Sequence, residues 1–104
     1  MREREIEKQF REAVKQAGGT AYKFVSPGND GVPDRLVVMP GNRIGFVEVK
    51  APGKRPTPLQ QARIRGLQEL GCCVLVLDDP AEIPHVVDEI CRGQAPSRPE
   101  EERT

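Results

Sequence analysis

The sequence has no tryptophan, one tyrosine and three phenylalanines, so aromatics make up only 4% of its 104 residues. Recognition of unpaired bases by stacking needs more rings than that and is excluded. The single histidine, His85, has no partners at matching spacing, and no Ser-His-Asp, phosphate-loop or zinc pattern exists. Three cysteines, an odd number, do not make a disulfide framework, and adjacent Cys72 and Cys73 on a strand would point to opposite faces. They read as buried thiols in a reducing cytoplasm. Neither sign of charge is in excess, with 16 basic and 16 acidic residues, so any contact with nucleic acid must come from local clustering. The longest apolar stretch, Cys72 to Leu77, cannot span a bilayer, and Met1 to Gln9 is charged where a signal peptide would be apolar. A cytoplasmic protein without membrane contact is expected.

What the chain does contain suffices for one domain with an aliphatic core. Ile6, Phe10, Ala13, Val14 and Ala17 form one stripe of a helix over residues 2–17, stopped by Gly18-Gly19. A short strand is expected over Ala21 to Val25, then a loop rich in turn residues, Ser26 to Gly31. Arg35 to Met39 and Ile44 to Lys50 read as a hairpin around Pro40-Gly41-Asn42-Arg43. Thr57 is a helix N-cap with Pro58 behind it, and Leu59, Ala62, Leu67 and Leu70 are the expected buried face. Ile64 lies off that stripe and, with the last helix, is candidate interface material. Cys72 to Leu77 reads as a strand covered on both faces. Asp79-Pro80-Ala81-Glu82 starts a final helix that runs to Cys91, with Pro84 as a possible break, and Gly93 closes it. Residues 94–104 are expected to be a disordered tail and residues 1–93 the domain. The order α-β-β-β-α-β-α predicts an α/β fold, a mixed sheet flanked by helices.

The chemistry concentrates in Pro33-Asp34 and Glu48-Val49-Lys50. Alternation along a strand puts Glu48 and Lys50 on one face, with Val49 on the other. The hairpin brings Asp34 to the same sheet end. Two carboxylates for a hard cation beside a fixed positive charge are what a Mg²⁺-dependent phosphodiester hydrolase requires. A lysine held by two carboxylates is suited to an electrostatic role rather than that of a free base. Asp34 could instead be a turn acceptor, and Glu48 and Lys50 a solvated pair on an edge strand. Apolar residues on both faces of that strand argue for a covered site. Lys23, Arg35, Lys54 and Arg55, with the loops 26–31 and 51–56 that hold Ser26 and Asn29, would form a local basic rim for phosphates.

Gly31-Val-Pro-Asp-Arg35, Phe46-Val-Glu-Val-Lys-Ala-Pro52 and Leu59-Gln60 at a helix start, in that order, resemble the stand-alone VRR-NUC domain of the PD-(D/E)XK nuclease superfamily. The resemblance runs from the first helix to about Leu77. It implies a restriction-endonuclease-like fold and Mg²⁺ or Mn²⁺ held by Asp34, Glu48 and the Val49 carbonyl. It further implies Lys50 acting on the attacking water and phosphate, and Gln60 near the site. The first helix would add an acidic ligand, Glu3 or Glu7. Glu7 borders the apolar stripe and is the choice on that ground. The substrate implied is structured or branched DNA, such as a four-way junction, cut by a homodimer in a bacterial or phage-infected cell, with no organic cofactor. The rival readings are a non-catalytic module or regulatory subunit that binds structured DNA on the same fold, and a small interaction domain whose charges are only surface.

Overall fold

Ile6, Phe10 and Val14 recur every four residues along α1 (Glu3–Gln16), and all three are buried against the sheet. Ala17 falls beyond the helix end and is exposed. The computed structural model describes residues 1–93; the tail expected at 94–104 lies outside the described residues. After α1 come β1 (Thr20–Lys23), β2 (Arg35–Met39) and β3 (Arg43–Val49). Then follow α2 (Pro58–Glu69), β4 (Val74–Leu77), a 3₁₀ turn at Pro80–Glu82 and α3 (Ile83–Cys91). The order is the one expected from sequence.

The four strands lie side by side as β1-β2-β3-β4. The first two pairings are antiparallel and β3 with β4 is parallel, with α2 in the crossover. At the hairpin turn Gly41 and Asn42 take φ of +82° and +61°, a region these two residue types enter with least strain. Val37, Met39, Val47, Val49 and Leu77 meet Ile6, Phe10 and Val14 of α1 and Ile83, Val86 and Ile90 of α3 in one core. Pro84 sits in the first turn of α3, where its missing N–H costs nothing, so the interruption comes before it, at the 3₁₀ turn. Among the described residues no helix is long and apolar enough to cross a membrane.

Three expectations are corrected. First, α2 does not bury its Leu59-Ala62-Leu67-Leu70 stripe: Leu59 is 49% exposed, Leu70 82%, and Leu67 only half-buried. Ile64 is the residue it buries, so Ile64 belongs to the interior and not to an interface. The helix leans on the sheet near β4, and Ala62, Leu67 and Leu70 of its stripe instead line an open groove of about 370 Å³ shared with Phe24, Val32 and Asn29. Second, β4 is the edge of the sheet, and Val76 is 38% exposed rather than covered on both faces. Third, β1 ends at Lys23 and leaves Val25 outside it, 66% exposed.

Candidate active site

The register of the hairpin builds the site. Arg35 pairs with Val47, so Asp34, one residue before β2, stands beside Glu48. Two main-chain hydrogen bonds hold it there. The Phe24 N–H donates to the Asp34 carbonyl at 2.8 Å, and the Val49 N–H donates to Asp34 Oδ1 at 3.1 Å. Glu48 is 4% exposed, the one charged side chain buried in the domain among the described residues. Lys50 follows β3, its N–H donating to the Leu77 carbonyl at 2.9 Å, and its Nζ stands 3.5 Å from Glu48 Oε2. Asp34, Glu48 and Lys50 are therefore brought together as expected.

Two acids pressed into one buried corner resist ionisation. Burial pushes the Glu48 carboxyl up to about 7, the Asp34 charge adds to the effect, and Lys50 opposes it. Burial also raises Asp34, against the Val49 hydrogen bond, and the charge of Glu3 pushes the same way. Glu3 lies at the exposed start of α1. Glu7 does not stand free: its Oε1 lies 2.6 Å from Arg11 Nε and also meets Arg35 Nη2. Arg35 is half-buried, and its Nε finds no hydrogen-bond partner. Alternation puts Arg35 on the α1 side of the sheet, opposite Asp34 and Glu48, where it is paired with Glu7.

Gln60 closes a capping box: Thr57 N–H donates to its Oε1 at 2.9 Å, while its own N–H donates to Thr57 Oγ1 at 3.2 Å. Its amide nitrogen is left for other partners. Lys23, Lys54 and Arg55 are exposed, while Ser26 and Asn29 are tied together by a 2.9 Å bond from Asn29 Nδ2 to Ser26 Oγ. Sequence reading missed Arg11, which an acid-base pair four residues apart on a helix could have suggested. It also missed Arg63, whose partner lies 33 residues away.

Among the described residues no three Asp, Glu, His or Cys side chains close on one point. The donor set still suits a hard divalent cation, which needs one or two carboxylates and keeps several waters. Two acids forced together with one lysine near them are under-neutralised, and such an ion would supply the missing charge. Val49 has its N–H engaged with Asp34, so its carbonyl oxygen is what it has to offer an ion.

No family model matches the chain. It is 55% identical over 78 residues to the phage protein "Putative nuclease p44" of Acyrthosiphon pisum secondary endosymbiont phage 1, across 75% of this chain and 84% of that protein. A solved structure of a VRR_NUC domain superposes with a TM-score of 0.77 at 28% identity, covering 83% of this chain and 94% of that one.

Proposed function

This chain belongs to the VRR-NUC nucleases, and from that premise we propose that it is a Mg²⁺- or Mn²⁺-dependent endodeoxyribonuclease that cuts structured or branched DNA as a homodimer. The observation that carries the reading is the buried Asp34–Glu48 pair with Lys50 at 3.5 Å. Asp34, Glu48 and the Val49 carbonyl would hold the ion. Of the two helix acids we assign Glu3 as the third ligand, since its charge reaches Asp34 while Glu7 is engaged by Arg11 and Arg35. That choice departs from the burial argument made on sequence. Bound there, the ion would acidify a water and neutralise a non-bridging phosphate oxygen. Lys50 places a positive charge where the phosphorane gathers negative charge. The Gln60 amide nitrogen, and Lys23, Lys54 and Arg55 around the mouth, would contact the sugar-phosphate backbone. A chain poor in rings recognises duplex shape and backbone rather than stacked single strands. Free Cys72, Cys73 and Cys91 suit a reducing cytoplasm, although only Cys73 is buried as expected, Cys72 being half-buried and Cys91 exposed at the end of α3.

The experiment is cleavage of labelled four-way junction, flap, duplex and single-stranded DNA with Mg²⁺, Mn²⁺ or EDTA. Cutting of branched substrates that EDTA abolishes is expected. Glu3→Gln should weaken Mn²⁺ binding about tenfold or more, and Glu7→Gln should leave it nearly unchanged. Binding without cutting would instead favour the non-catalytic module.

A symmetric junction needs two sites, hence two copies of a chain this small. The surface that suits a second copy is the α2 stripe, with Leu59 and Leu70 exposed. Leu70→Glu is expected to convert the dimer to monomer in light scattering and to abolish paired junction cuts while leaving single nicks. A wild type that is monomeric at working concentration would remove the dimer from the proposal.

A further inference from the structure

Asp34 is itself held by the hairpin register and two hydrogen bonds, but the segment that leads into it has little of its own to hold it. From Ser26 to Pro33 the backbone runs through Gly28 and Gly31, both at positive φ, with no regular structure. Its internal bonds, from Asn29 to Ser26, are local. Among the described residues one hydrogen bond reaches that stretch from another element: Arg63 Nε, in the second turn of α2, donates to the Asp30 carbonyl at 2.9 Å. The fit around it is tight. A Cβ on Gly31 would come within 2.8 Å of Leu59 Cγ, 3.3 Å of the Leu59 backbone carbon and 3.4 Å of Arg63 Cγ. The loop thus lies flat on α2, clasped by the stem and Nε of one side chain, just before Pro33 enters the core fully buried.

We propose that Arg63 is a positioning residue: by fixing Asp30 and Gly31 on α2 it steadies the entry into β2 that holds Asp34 in its hairpin place beside Glu48, and so tunes affinity for the divalent ion. The inference rests on the reading that Asp34 and Glu48 bind that ion. The same clasp joins the helix carrying Gln60 to the loop carrying Asp34, so the two halves of the site are held in one register. Hydrogen bonds that orient a ligand from behind commonly change metal affinity 10–100-fold when removed.

Glutamine and methionine separate the hydrogen bond from the charge. A glutamine carries its Nε2 at the same place along the chain as the arginine Nε, without the charge, and methionine keeps the stem but has no donor. Mn²⁺ binding would be followed by electron paramagnetic resonance on wild type, R63Q and R63M, with melting in EDTA alongside. The expected result is binding weakened about tenfold in R63M and within threefold of wild type in R63Q. Both variants should melt within a few degrees of wild type in EDTA. Equal binding by all three proteins overturns the proposal. So does equal weakening in both variants, which would make the positive charge the active property. R63M melting more than about 10 °C below wild type also overturns it, since Arg63 would then be a stability residue. A wild type that binds no Mn²⁺ refutes the ion-binding reading itself, and the positioning role falls with it.

Discussion

Lys50→Ala is expected to lower kcat for DNA cleavage by about 10²–10³-fold, the usual effect of deleting a charge aimed at a transition state. KM should change little, because in the proposed site the ammonium would face the reacting phosphate and not the rim proposed to bind the duplex. The fold should survive, since only the side chain is lost and the Lys50 N–H still bonds the Leu77 carbonyl. Lys50→Arg is expected to keep activity within about tenfold of wild type, because charge is what the residue supplies. An arginine variant as inactive as alanine would show that the compact ammonium or its proton is required. Initial rates at saturating metal, for all three proteins on one substrate, decide the matter.

Glu48→Gln should do two opposite things: abolish metal-dependent cleavage and stabilise the metal-free protein. In the fold this carboxyl is raised from an ordinary 4.5 to about 7. The folded state therefore holds the proton more tightly than the unfolded chain does. The associated stability is complete below the unfolded value and is lost as pH rises through the folded one, a cost of about 3 kcal/mol by pH 8. A neutral isostere avoids most of it. In EDTA at pH 8, E48Q is expected to melt about 10–20 °C above wild type, and the gap should close toward pH 5. Mg²⁺ or Mn²⁺ should raise the melting temperature of wild type more at pH 8 than at pH 6, since ion and proton compete for one carboxylate, and should leave E48Q unmoved. A variant less stable than wild type at pH 8 would mean that the lost Lys50 pairing outweighs the relieved repulsion.

The fold was legible where periodicity is strict. Ile6-Phe10-Val14, the Gly41-Asn42 turn and the Thr57-Pro58 cap each act within a few residues, and each forms as the local pattern dictates. The pairing of Asp34 with Glu48 was legible for the same reason, because a hairpin with a short turn fixes its own register. Reading failed for α2, whose apolar stripe has the right spacing but the wrong neighbour. Propensity and spacing say that a helix has a face, and only the packing of α2 near the β4 edge says which face is covered.

The same division holds for the charges of the site. Local order alone determined that two acids and a lysine would share a sheet end, because strand alternation and turn length are short-range constraints. Which acid on α1 is engaged elsewhere was decided by tertiary structure. Arg35, on the far face of the sheet, and Arg11 take Glu7, and Glu3 is left without an ion pair among the described residues. Burial was decided there too, and with it the shift of Glu48, since desolvation depends on everything that closes over a carboxylate and not on its neighbours in the chain.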